Sequence, residues 1–174
     1  MRKKVKILSY LLVFIVFSSK LQAQLPKALV FGNFTYANPQ NDYFKNHYNN
    51  GVGFEIGAGV GFAKTIFIGS LGYMNYSASA NNAANLKIMP VKLGVRQYLI
   101  GKLFVNGNIG LALQSYDNIS GSNGNNFLYE IGAGVKVLRF IELGVAYTGW
   151  KLGSVDGGAN ANSLLFKAGF SLKI

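Results

Sequence analysis

The residues best placed to do chemistry in this chain are three glutamates, Glu55, Glu130 and Glu142, each set in a run where alternate residues are apolar. Lys92, Arg96, Lys136, Lys167 and Lys173 stand in similar alternating runs. If each run is a β-strand, these charges share the face opposite the apolar one, because successive side chains of a strand point to opposite sides. The chemistry open to such a set is ion pairing, since charges taken out of water must be paired. The three aspartates, Asp42, Asp117 and Asp156, fall instead in polar connecting stretches.

Catalysis and metal binding have thinner support. His47 is the single histidine, in a polar stretch with Asp42, Tyr43 and Tyr48. A nucleophile–base–orienter set needs His, Ser and an acid within hydrogen-bond reach. No serine lies in that stretch, so a partner such as Ser120 or Ser154 would have to come from another connection. An exposed, solvated histidine is the simpler account. One His, no Cys and no clustered carboxylates leave no metal site, and no thiol or disulfide chemistry. The glycine-rich GAGVG at 57–61 lies inside an alternating run with no helix after it, unlike a phosphate loop. The chain is read as a non-enzyme without cofactors.

The stretch 51–63, GVGFEIGAGVGFA, shows what positions these residues. Val52, Phe54, Ile56, Ala58, Val60 and Phe62 form one alternate set; Gly51, Gly53, Glu55, Gly57, Gly59, Gly61 and Ala63 form the other. An apolar face backed by tiny residues and one carboxylate suits a wall between lipid and a narrow polar interior. The pattern predicts eight strands, at about 26–37, 51–63, 66–77, 87–99, 103–116, 127–137, 141–152 and 163–174. Ten residues rising ~3.3 Å each at a tilt of ~45° span roughly 23 Å, close to the ~25 Å apolar band of membrane barrels. Strands one and three carry apolar residues on both faces, so their register stays open. Pro90 lacks a ladder donor and is expected at a bulge or at the upper end of strand four.

The connections alternate in kind. Those after strands one, three, five and seven are long and polar: NPQNDYFKNHYNN, SASANNAAN, DNISGSNGNN and GSVDGGANAN. Those after strands two, four and six are tight, around Lys64-Thr65, Ile100-Gly101-Lys102 and Leu138-Arg139-Phe140. Together these features predict an all-β, eight-stranded antiparallel up-and-down transmembrane β-barrel with short turns toward the periplasm and long loops outward. A soluble ligand-carrying barrel fits less well. Its water-facing surface would carry Lys, Thr, Glu and Ser rather than glycine, its loops would not alternate strictly, and the last strand here runs to the end of the chain.

Residues 1–23 are expected to be a cleaved signal peptide: Arg2, Lys3, Lys4 and Lys6, an apolar run to Phe17, then Leu21-Gln22-Ala23 before Gln24. The barrel domain is then 24–174. The chain has 17 basic and 6 acidic residues, formally +11. Five of the basic residues lie in the leader, which leaves twelve against six, or +6, for the mature domain. These positive charges are scattered singly, without a patch or a helix stripe, which argues against a nucleic-acid partner.

The final strand carries the most specific signal. Lys167-Ala168-Gly169-Phe170-Ser171-Leu172-Lys173-Ile174 resembles the C-terminal signal of outer-membrane β-barrel proteins: polar, any, Gly, any, any, apolar, any, apolar. That family usually ends in an aromatic, most often Phe, where this chain has Ile174. The resemblance implies that Lys167, Gly169, Leu172 and Ile174 serve insertion by the barrel-assembly machinery. It also implies an integral outer-membrane location with membrane lipid as the surroundings. The mature chain resembles the small eight-stranded members, some of which modify lipid A, but no catalytic motif comes with the resemblance.

The expected site is therefore a lumen charge network of Glu55, Lys92, Arg96, Glu130, Lys136, Glu142 and Lys167. It lines a selective pore or fills the barrel with salt bridges, and the narrow interior of eight strands favours filling. Drawing the third turn as Leu138-Arg139-Phe140 sets Lys136 opposite Glu142, so an ion pair is expected there, near the mouth and wet. Tyr36, Phe62, Tyr76, Tyr98, Tyr116, Phe127, Phe140 and Trp150 cluster near strand ends, as interfacial girdles do. Tyr43, Phe44, Lys45 and Tyr48 form either a contact surface for an external protein or glycan, or part of that girdle.

Overall fold

Alternating sequence becomes strand over most of the chain. The computed structural model describes residues 26–79, 84–117, 124–153 and 157–174. Its strands are β1 (Lys27–Pro39), β2 (Tyr48–Phe62), β3 (Thr65–Ala78), β4 (Leu86–Tyr98), β5 (Leu103–Tyr116), β6 (Gly124–Lys136), β7 (Ile141–Lys151) and β8 (Asn160–Lys173), with one short helix, α1 (Asp42–His47). Each strand pairs antiparallel with the next and β8 pairs with β1, so the sheet closes into an up-and-down barrel. Closure leaves no unpaired sheet edge. The leader, Ser120, Ser154 and Asp156 lie outside the described residues.

The barrel is apolar on the outside. Phe34, Phe54, Ile56, Phe67, Leu93, Ile109, Ile131, Leu143 and Phe170 point outward and are exposed, so all eight strands contribute to the belt. A soluble monomer does not expose a continuous apolar surface of this extent. The tight turns gather at one end, where the β4–β5 turn places Gly101 at φ 63°, a conformation glycine adopts without penalty.

The registers left open in sequence are set by the lumen. β1 points Leu29, Phe31, Asn33, Thr35 and Ala37 inward, and β3 points Ile66, Ile68, Ser70 and Tyr76 inward. Both faces of these strands are apolar because the lumen has apolar layers of its own. Pro90 marks neither a bulge nor a strand end. It sits inside β4 and pairs with Ala112, while the β3–β4 register is the same on either side of it. The missing N–H interrupts that ladder locally without shifting it.

Two further expectations are corrected by the inward packing. Tyr76, Tyr98, Tyr116 and Trp150 are buried in the lumen, so they are not girdle residues. Tyr36, Phe62, Phe127 and Phe140 do face outward. The first long connection is not an open loop, since α1 folds back over the barrel end. Phe44 and Tyr48 are buried there, neither an outer contact surface nor a girdle.

Candidate functional site in the lumen

Four charges meet midway along the lumen, one from each even-numbered strand: Glu55 on β2, Lys92 on β4, Glu130 on β6 and Lys167 on β8. Their signs alternate around the barrel. Lys92 Nζ lies 2.9 Å from Glu55 and 2.7 Å from Glu130. Lys167 Nζ lies 2.8 Å from each of the same two carboxylates. The result is a closed, net-neutral ring. Ser70 Oγ donates to Glu55 Oε1 at 2.6 Å, and Asn108 Nδ2 donates to Glu130 Oε1 at 3.0 Å. All four carboxylate oxygens are occupied, as a buried ionic cluster requires. Alternate strands supply the ring because side chains of a narrow barrel stack in layers drawn from every second strand.

A second charge layer lies toward the short-turn end. Arg96 Nη1 donates to both carboxylate oxygens of Glu142, at 3.0 and 3.2 Å. Its guanidinium carbon lies 4.2 Å from the centre of the Phe104 ring and 4.9 Å from that of Phe31. Such stacking suits the flat, weakly hydrated guanidinium.

The expected Lys136–Glu142 pair is absent. The two residues do stand directly opposite each other. Glu142 is nonetheless buried at 3% exposure rather than wet, and Arg96 holds its carboxylate. Lys136 donates instead to the Ser171 carbonyl at 3.4 Å. A guanidinium offers a planar set of donors to a carboxylate, while an ammonium near the mouth keeps its hydration, so Arg96 takes the acid.

Apolar layers lie on either side of the ring of four. At the long-loop end the Phe44 ring packs 5.0 Å from Tyr76, 5.2 Å from Tyr48 and 5.5 Å from Trp150. Leu86, Ile88, Leu128 and Leu165 complete that layer. Leu29, Phe31, Ile66, Ile68, Tyr98 and Phe104 form the layer at the other end. Cavities of ≈ 20 Å³ and ≈ 30 Å³ flank the ring of four, each on the scale of one water.

No family profile and no curated protein sequence matches the chain. Solved structures do. Ail, the attachment invasion locus protein of Yersinia pestis, aligns with a TM-score of 0.58 at 15% identity, over 84% of this chain and 98% of that one. Neisserial surface protein A gives 0.56 at 16% identity, over 84% and 97%. The N-terminal barrel domain of OprF from Pseudomonas aeruginosa gives 0.55 at 16% identity, over 83% and 97%. The fold is that of the small eight-stranded outer-membrane β-barrels.

In an outer-membrane barrel the short turns face the periplasm and the long loops face outward. The ring of four lies midway along the barrel, the Arg96–Glu142 pair toward its short-turn end, and the Phe44 layer at its long-loop end. His47 sits at the long-loop end, where its ring stacks on Tyr43 at 4.2 Å and its Nδ1–H donates to the Tyr43 carbonyl at 2.8 Å. Among the described residues no group of three potential metal ligands occurs. At the same end Lys87 forms an ion pair with Asp117. The Lys87 hydrogen bond holds the Asp117 carboxyl below its ordinary value, and Asn85 Nδ2, donating at 3.3 Å, acts in the same sense.

Of the C-terminal residues, Leu172 and Ile174 face the lipid side of the outer-membrane barrel, while Lys167 belongs to the ring. A Cβ at Gly169 would strike the Gly32 carbonyl and the Asn33 side chain, so β8 meets β1 only through a residue without one. Ser70 is not singled out by the sequence, and Phe44 is read there as an outer contact or girdle residue rather than a buried one. The undecided register of β3 hid Ser70. Phe44 had one local clue: Asp42 in the first turn and Lys45 and His47 in the last match the charge preference of a helix.

Proposed function

We infer that this protein is a non-conducting integral outer-membrane barrel whose lumen is plugged by its own side chains and whose outer loops carry an interaction role. The observation behind this reading is the closed ring of Glu55, Lys92, Glu130 and Lys167, with apolar layers above and below it. Each ion pair satisfies another, so no member is free to coordinate a passing ion. A passive pore is the competing reading. Planar-bilayer recording on purified protein separates the two: the plug gives little conductance, and a large steady conductance would overturn it.

Three parts of this reading concern biogenesis and partners. Residues 1–23 are a signal peptide removed before Gln24, and intact-mass analysis of membrane-purified protein that still contained them would refute this. Lys167, Gly169, Leu172 and Ile174 form the signal read by the barrel-assembly machinery, so slower insertion of Leu172→Asp and Ile174→Asp in an assembly assay is expected. The long-loop end contacts external proteins or glycans. Ail has been crystallised with the heparin analogue sucrose octasulfate, which makes sulfated glycans a reasonable first probe. No catalytic step belongs to this reading.

A further inference from the structure

The charge of the described residues is unevenly placed. Lys27, Lys64, Lys102, Lys136, Arg139 and Lys173 all lie at the short-turn, periplasmic end. The nearest acid, Glu142, is already held by Arg96. No described residue at that end forms an ion pair with any of these six cations.

Three of the six point into the mouth of the lumen. Lys27, Lys136 and Lys173 occupy inward positions on β1, β6 and β8, continuing the inward series of Leu29, Gly134 and Ser171. Lys136 reaches across to the Ser171 carbonyl at 3.4 Å, and Lys27 donates to the Ala63 carbonyl at 3.1 Å. Lys173 Nζ lies over the Tyr98 ring, 4.4 Å from its centre. Lys173 is within electrostatic range of both Lys27 and Lys136. Each ammonium has three donors and spends at most one on a carbonyl.

An independent observation falls on the same spot. Tyr98 and Ser171 are 8% and 1% exposed, and their hydroxyls have no hydrogen-bond partner within the protein. A buried hydroxyl without a protein partner is costly, so two at one mouth are groups that a bound ligand would satisfy. Three ammonium groups gathered at one mouth, with the one facing carboxylate, Glu142, already held by Arg96, point the same way.

We propose that the periplasmic mouth of the barrel is a binding site for a phosphate-class oxyanion. A tetrahedral oxyanion presents several acceptor oxygens at once, and lysine is a standard point-charge partner for it. Tyr98, Phe104 and Phe31 close the lumen behind the site, so the ligand enters from the periplasmic side and stops there. Either an anionic phospholipid headgroup of the inner leaflet or free inorganic phosphate meets this description. The site requires the folded barrel but not the plug, so bilayer conductance does not bear on it.

The test uses refolded barrel in zwitterionic detergent with inorganic phosphate as the probe, titrated at constant ionic strength against chloride and followed by phosphorus NMR and thermal unfolding. Phosphate is expected to raise the unfolding midpoint above the chloride control. Lys136→Gln with Lys173→Gln should weaken phosphate binding about tenfold or more, as loss of charge-assisted contacts implies. Lys151→Gln, at the opposite end, should leave it unchanged. The single Lys173→Gln, at an exposed position, serves if the double variant folds poorly. Nanodiscs then distinguish the source. Weaker phosphate binding in phosphatidylglycerol than in phosphatidylcholine identifies a competing lipid headgroup, and equal binding identifies free phosphate. A phosphate effect no larger than that of chloride, or one that survives in both lysine variants, would overturn the proposal.

Discussion

Phe104 lies directly opposite Gly134 across the β5–β6 pair, and its ring occupies the space that a Cβ on that glycine would need. Phe31 and Gly57 stand in the same relation across β1–β2, as do Tyr76 and Gly51 across β2–β3. These three inward aromatics fit the narrow barrel because each lies over a residue with no side chain. The glycine-rich face is thus a set of sockets for rings, and Arg96 rests on two of those rings.

Gly134→Ala should therefore destabilise the barrel by about 1–3 kcal/mol, the usual cost of overpacking. Phe104 cannot simply swing away, since Arg96 covers it and the Leu143 carbonyl crowds the same point. Gly107→Ala is the control, because a Cβ there meets nothing within 4 Å. Urea unfolding in detergent should show a loss for Gly134→Ala alone. Equal midpoints for the two variants would remove the socket argument.

Glu130→Gln leaves Lys92 and Lys167 sharing Glu55 alone. Breaking a buried pair in this way typically costs about 3–5 kcal/mol. Glu142→Gln strands Arg96 beside two aromatic rings and should cost a comparable amount, since both carboxylates are 3% exposed. A loss for Glu142→Gln of only about 1 kcal/mol, as for an exposed pair, would mean that water reaches Arg96.

Phe44→Ala removes the side chain that α1 inserts between Tyr48, Tyr76 and Trp150. Truncating a fully buried phenylalanine costs about 3–5 kcal/mol where the cavity does not collapse. The ring of four lies beneath, so bilayer conductance should stay at the wild-type level. A variant that folded but conducted strongly would show that Phe44, not the ring, is the seal.

Asp117 supplies a pH-dependent contact at the long-loop end. Its folded-state pKa is held below the ordinary value of 3.8 by the Lys87 hydrogen bond. A depressed carboxyl stabilises the fold above its unfolded pKa, and that contribution is lost as pH falls through the lower folded value. The effect belongs to the strongly acidic range and is small for so exposed a group. NMR titration should find the Asp117 midpoint higher in Lys87→Gln. An unmoved midpoint would mean that Lys87 does not set it.

Much of the wall was legible in the sequence because a strand's period of two is local. The shared face of Val52, Phe54 and Ile56, the opposite face of Glu55, and the alternating loop lengths need no knowledge of distant residues. Even the facing of Lys136 and Glu142 follows from a three-residue turn. Which charge partners which is a different kind of fact. Lys92 reaches Glu130 across β5 from 38 positions away, and Lys167 reaches Glu55 from 112, a contact that only closure of β8 on β1 makes possible.

The same distinction explains the misplaced residues. A periodic pattern tells that Tyr76, Tyr98 and Trp150 alternate with their neighbours, but the pattern is the same whether a ring faces lipid or fills a lumen. Both environments are apolar, and hydrophobicity alone does not separate them. Packing volume does: Gly51 opposite Tyr76 is vacant space that only an inward ring uses. Strands, their order and a two-faced wall can be read from the chain alone, because they rest on backbone geometry and local alternation. The contents of the lumen follow only from the folded barrel, because filling a closed space depends on side chains from every strand at once.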